Sequence, residues 1–228
     1  MFAFDYYYLI LVIPAMIISI IAQIKVKSTY RKFAKINNVN GITGANAAKA
    51  VLEYYDIHDV NVEETTGELT DHYSPSEKII RLSTNVYSGT SIAAVGVACH
   101  EAGHAAQYAK GYMPIKARNA IVPVCNIGSK LGVPLALIGY FLGFEPLITI
   151  GLILYALIAV FHLITLPVEF NASHRAIAVI NDTQLLCGKE TSKAKKVLFA
   201  AAMTYVASLI VVIANLLRLV LRLNRRRR

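Results

Sequence analysis

Two histidines four residues apart, with a glutamate beside the first, stand at His100-Glu101-Ala102-Gly103-His104. Positions i and i+4 share one helical face, so both imidazoles can reach a single divalent cation. If that cation is Zn²⁺, the pKa of a bound water falls to about 7, and Glu101 is placed to take its proton. This is hydrolytic chemistry, and it needs a third ligand and one open coordination position. The bland alternative is a pair of ordinary histidines on a buried helix. The neighbours, Ala93-Ala94-Val95-Gly96-Val97-Ala98 before the motif and Ala105-Ala106 after it, count against that. They allow burial on nearly every side, where two imidazoles and a carboxylate are costly unless they bind something.

Acidic residues and histidines elsewhere are candidates for the third ligand. Glu169 stands out, because it follows Pro167-Val168 at the end of a 22-residue uncharged stretch. A glutamate at such a depth is expensive unless it is paired. His162 lies two helical turns earlier on the same face, where a helix–helix hydrogen bond is its ordinary role. His58 and His72 read as loop histidines, and neither receives a role. Residues 78–83 read as a strand that either pairs with an extended substrate above the metal or belongs to the core.

Stepping outward, the elements that must hold these residues are largely membrane-spanning. Residues 6–24, 147–168 and 197–217 carry no charge over 19, 22 and 21 positions, and 131–144 add 14 more. About 20 apolar residues cross a ~30 Å hydrocarbon core. With 56% hydrophobic and only 16% charged residues, the chain is neither an ordinary soluble protein nor a disordered one. The expected fold is a mainly α, polytopic membrane protein of about four transmembrane helices with a small α+β cytoplasmic unit. Its parts are an anchor over 1–25, the α+β unit over 26–118, a transmembrane hairpin over 119–168, a ligand-bearing segment over 169–196, and a last helix with an Arg-rich tail over 197–228.

Within 26–118 the order reads helix, strand, strand, helix. Thr43 caps a helix over 45–55, residues 60–64 and 78–83 form strands, and Thr90 or Ser91 caps a helix over 92–109. Lys130 within the hairpin must face protein or water. The N-terminus has Asp5 and no basic residue ahead of its apolar run, unlike a signal peptide. Lys25, Lys27, Arg31, Lys32 and Lys35 follow that run, which predicts an uncleaved anchor with its downstream side in the cytoplasm.

The formal net charge is +9, with six arginines, Arg218, Arg222 and Arg225 to Arg228, in the last 11 positions. A basic run beside a membrane helix suits anionic lipid headgroups better than nucleic acid, so no nucleic-acid partner is expected. The placement of this tail conflicts with the positive-inside reading of the rest. Cys99, Cys125 and Cys187 are too few and too scattered for a disulfide framework.

A set of segments in order carries a family resemblance. These are Thr70-Asp-His-Tyr-Ser-Pro75, Ile80-Arg-Leu-Ser83, the run from Ser91 through the motif to Gln107, Arg118-Asn-Ala-Ile-Val-Pro123 and Leu166-Pro-Val-Glu-Phe-Asn-Ala-Ser173. Together they resemble the YugP family of bacterial neutral zinc metallopeptidases of the membrane. The Glu-Phe-x-Ala element is also similar to the ligand helix of the HtpX and CAAX-prenyl peptidases. The resemblance implies a gluzincin-like Zn²⁺ site with His100, His104 and Glu169 as ligands and Glu101 as general base. It also implies a multi-pass protein of the bacterial plasma membrane, an active site facing the cytoplasm, and unfolded or membrane-associated polypeptides as substrates in quality control. The chain departs from the wider gluzincin pattern at Ser173, where an aspartate orients a ligand histidine, and from the YugP pattern at Asn171, where aspartate stands. Either a neutral amide or a hydroxyl raises imidazole basicity less than a carboxylate does. His174 or Arg175, about a helical turn beyond Glu169, are candidates for the oxyanion donor or for orienting ligands, as is Asn171 for the latter.

Two function classes follow. One is a membrane zinc metalloendopeptidase. The other is a non-catalytic zinc-binding membrane scaffold, which would need a closed site with a fourth protein ligand such as His72 or Cys99.

Overall fold

The computed structural model describes residues 5–67 and 70–226, the side chains of 223–226 excepted. Arg225 to Arg228 of the basic tail therefore lie outside the side chains described. The chain forms two compact units. One comprises Met1–Gln23, Pro114–Leu166 and Met203–Arg228, and the other Ile24–Met113 with Pro167–Ala202. Four helices are long and apolar enough to cross a membrane, at Tyr8–Phe33, Met113–Leu142, Glu145–Asp182 and Lys189–Arg222. The protein is thus mainly α and polytopic, with a small α+β region.

In the first unit, α5 (Met113–Leu142) and α6 (Glu145–Asp182) form a hairpin closed by small residues. A Cβ at Gly128 would lie 2.6 Å from the Leu154 carbonyl oxygen, and one at Gly151 would lie 2.5 Å from the Ala136 nitrogen. Lipid tails are as apolar as leucine, so close backbone packing of this kind does what the hydrophobic effect does in water. Lys130 is exposed on α5. At the outer ends, Asp5 accepts from the Tyr8 amide at 2.8 Å. Its carboxylate also pairs with Arg218 and Arg222 of α7 (Lys189–Arg226), each at 3.0 Å.

The second unit holds the candidate site. Its helix α1 (Ile13–Phe33) enters from the anchor, so residues 24–33 continue the membrane helix without a break. Thr43 caps α2 (Gly44–Tyr54) by accepting from the Asn46 amide. The strands β1 (Asn61–Thr65), β2 (His72–Ser74) and β3 (Ile79–Ser83) make one sheet in the order β1-β3-β2. β1 runs parallel to β3, and β2 antiparallel to it. β3 is therefore central, with neighbours on both sides. A substrate cannot add to it, so of the two roles open to residues 78–83 the core one holds. The sequence pattern gave no sign of β2, whose three residues carry no run of alternation. A single turn, α3 (Thr84–Tyr87), leads from the sheet toward α4 (Ile92–Ala109).

Two helix boundaries differ from expectation. α5 begins at Met113, because Pro114 falls in its first turn, where a missing amide costs nothing. α6 does not stop at Pro167 but runs on to Asp182. Neighbouring groups take up carbonyls around the proline. The Thr165 hydroxyl donates to the Phe161 carbonyl at 2.8 Å, and Gln107 Nε2 donates to the Val168 carbonyl at 2.7 Å. The proline removes one hydrogen bond of the helix, and the helix runs on because Ala176, Val179 and Ile180 beyond it are buried in one cluster with α4. The first part of the ligand-bearing segment, to Asp182, is thus a continuation of the same helix.

Candidate active site

α4 is launched by Ser91, whose Oγ accepts from the Ala94 amide at 3.1 Å. Its body is small and apolar, with Ala93, Ala94, Val95, Ala98, Ala102 and Ala106 all fully buried. The cluster around it draws in Val51 and Leu52 of α2, Ile80 and Leu82 of β3, and Ala176, Val179 and Ile180 of α6. At Gly103, inside the motif, an added Cβ would lie 2.7 Å from the Ala172 carbonyl oxygen of α6. Glycine here lets the two backbones approach closely enough for side chains of α6 to meet those of α4.

Glu169 makes that meeting. It is 3% exposed, and its Oε2 lies 3.3 Å from His100 Nε2 and 3.7 Å from His104 Nε2. One ligand atom from each of the three residues falls within 4.8 Å of the others, an arrangement that could hold a metal ion. Among the described residues, no fourth histidine, cysteine or carboxylate joins this group. His72 is exposed with Nδ1 against the Thr70 carbonyl, and Cys99 points its Sγ at the Ala47 carbonyl of α2. Burial alone drives the Cys99 thiol far above its ordinary pKa. His162 is half-buried on α6 beside Phe161 and is not part of the group.

The outer nitrogens of both imidazoles are engaged. The Ser173 hydroxyl is 3.1 Å from His100 Nδ1, so the residue that replaces the expected aspartate still orients a histidine. On the other imidazole, a chain of bonds fixes every donor. Arg175 can only donate, so the atom of Asn171 that its Nε meets at 2.9 Å is the oxygen. That oxygen accepts from Gln107 Nε2 at 3.0 Å, which also donates to the Val168 carbonyl at 2.7 Å. Both amide hydrogens of Gln107 are spent, so its oxygen faces His104 Nδ1 at 3.0 Å, and Nδ1 carries the proton. The Nε2 lone pair of His104 is left for a cation.

Asn171 thus reaches an imidazole only through Gln107. Arg175 is held between Asn171 and the Tyr55 ring, 5.5 Å from its guanidinium, and His174 is exposed. Gln107 is the residue that sequence reasoning missed. Its signal was present, a glutamine one turn after His104 on a helix of buried alanines, where an amide needs partners.

Half-buried Glu101 sits beside this group. Burial and the Glu169 and Asp71 charges raise its pKa above the ordinary carboxylate value, although the two imidazoles pull the other way. Burial works against a charged His104, but the nearby Glu169 carboxylate and the Glu101 charge outweigh it and raise its pKa. Asp71 lies beyond, accepting from the amide and hydroxyl of Ser83 at 2.8 and 3.0 Å.

Residues 8–224 match a protein family described as "Putative neutral zinc metallopeptidase". The chain belongs to this family. Among curated proteins it is similar to "Putative membrane protease YugP" of Bacillus subtilis (strain 168). The two are 44% identical over 214 residues, covering 94% of this chain and 95% of the relative. No solved structure matches. Family membership agrees with the motif, the helices and the clustered His, His and Glu, which come from opposite halves of the sequence.

Proposed function

We propose that the chain is a membrane zinc metalloendopeptidase that hydrolyses peptide bonds with His100, His104 and Glu169 as ligands and Glu101 as general base. The observation that carries this is the convergence of three ligand atoms from α4 and α6 within 4.8 Å, next to a half-buried glutamate. The donor set fits zinc. Two imidazole nitrogens with a carboxylate oxygen are one of the ligand sets of catalytic zinc sites, and three protein ligands leave a position for water or substrate. The Nδ1 atoms held by Ser173 and Gln107 are the outer partners that ligand histidines ordinarily have. A structural scaffold would want a fourth protein ligand, and none is supplied among the described residues.

Zinc bound there supplies a Lewis acid that activates water and polarises the scissile carbonyl. Glu101 then takes the proton from the attacking water and delivers it to the leaving amine. A carboxylate held beside the attacking water can serve in turn as general base and general acid. Glu169 balances positive charge, and Gln107 and Ser173 keep the imidazoles aimed. With β3 central, the edge next to α4 is β2, and an extended polypeptide can add to it by backbone hydrogen bonds.

The substrates are unfolded or membrane-associated polypeptides, consistent with quality control in the bacterial plasma membrane. The basic residues after the anchor support an active site on the cytoplasmic side. The test is cleavage of an unfolded protein by the purified full chain. Cleavage should stop with a chelator, return with Zn²⁺, be blocked by a hydroxamate, and disappear with the metal in Glu169→Ala. Full proteolysis by chelated protein or by Glu169→Ala overturns the reading.

A further inference from the structure

Where α1 leaves its uncharged stretch, it changes from a one-sided to a two-sided helix. Phe33, buried together with Ala93 of α4 and Val197 of α7, is flanked by Tyr30, Ala34 and Ile36. That face fastens α1 to the start of the motif-bearing helix. The other face carries Ile24, Lys27, Ser28, Arg31, Lys32 and Lys35, which line one shallow open groove. Their spacing of three and four residues makes a single stripe along the helix and its final turn. All six are exposed.

Among the described residues, no carboxylate ion-pairs with Lys27, Arg31, Lys32 or Lys35, although acidic partners are found for Lys78, Arg81, Arg218 and Arg222. Like charges one turn apart cost a helix ~0.2–0.5 kcal/mol per pair. The helix dipole favours cations in the last turn, which accounts for Arg31, Lys32 and Lys35 individually. It does not account for Lys27, nor for the alignment of all four on the face turned from the protein. The stripe begins at Ile24, the last residue of the uncharged run. At a 1.5 Å rise per residue, Lys27 and Arg31 stand about 5 and 10 Å beyond it, at headgroup level.

We propose that this stripe is a binding site for the phosphate of an anionic phospholipid headgroup, with Lys27 and Arg31 as its principal cations and Ile24 against the acyl chains. Because the opposite face of α1 is packed on Ala93 of α4, the bound lipid anchors the metal-site unit itself, and not only the membrane helices.

The test uses the full chain in neutral detergent, titrated with an acyl-labelled phosphatidylglycerol, with phosphatidylcholine and inorganic phosphate as separate arms. Lys27→Gln/Arg31→Gln is compared with Lys49→Gln/Lys110→Gln, which removes the same charge elsewhere on the unit. At about fivefold per cation, the stripe variant should bind phosphatidylglycerol ~30-fold more weakly, with the control near wild type. Equal losses in the two variants, equal affinity for phosphatidylcholine, or full displacement by millimolar phosphate each overturn the proposal. Unchanged circular dichroism of both variants establishes that folding is not the cause.

Discussion

At the residue scale, the site depends on which atom of each polar group faces which neighbour. Gln107 ties His104 to the backbone just before Glu169, so it holds a ligand and the ligand-bearing helix at once. Gln107→Leu should weaken metal binding about 10–100-fold, the usual effect of losing an outer partner. Competition with a chelator of known affinity measures this, and wild-type affinity would contradict it. The pH dependence of the metal-free protein has a definite sign. A raised histidine pKa gives stability that is complete below about 6.5 and is lost as pH rises through the folded value. Glu101, also raised, loses stability in the same direction, from its unfolded value near 4.5 upward. The melting temperature of the metal-free protein should therefore fall between pH 5 and pH 8. Metal retention should run the other way, rising with pH as protons stop competing for His104. Thermal melts with and without Zn²⁺ across that range test both signs.

At the element scale, α4 and α6 are registered by Gly103 against the Ala172 carbonyl. Gly103→Ala should force the helices apart, cost about 1–3 kcal/mol of stability, and weaken metal binding because Glu169 moves with α6. A chemical-denaturation midpoint and a metal titration on the same variant check the two effects together. The helix α4, its Ser91 cap and the residue pattern of the motif were all legible in the sequence, since they depend on local spacing. The continuation of α6 through Pro167 was not. A proline reads as a boundary, but what it removes is one hydrogen bond, and the burial of Ala176, Val179 and Ile180 against α4 outweighs it. The central position of β3 was hidden for a similar reason: β2 is three residues long and exists only because β3 provides a partner. Glu169 was legible as a costly charge at the end of an apolar stretch. The partners of Asn171 and Arg175 were not, because they are fixed by Gln107 and Tyr55 from other elements.

At the scale of the whole molecule, the basic tail is partly accounted for. Arg218 and Arg222 share Asp5, which places the amino-terminal end of the chain and the carboxy-terminal part of α7 together within one unit. Asp5→Asn should leave two partly buried guanidinium groups without their shared carboxylate and lower the melting temperature in detergent, whereas Glu53→Gln, at an exposed position of α2, should not.

The central claim is that a metal held by α4 and α6 works with Glu101 on a peptide bond. The most direct measurement is zinc content and cleavage of an unfolded protein by wild type and Glu101→Gln, side by side. Glu101→Gln should keep zinc at the wild-type stoichiometry and lose cleavage by about 10²–10⁴-fold. Cleavage at the wild-type rate by Glu101→Gln would contradict the account.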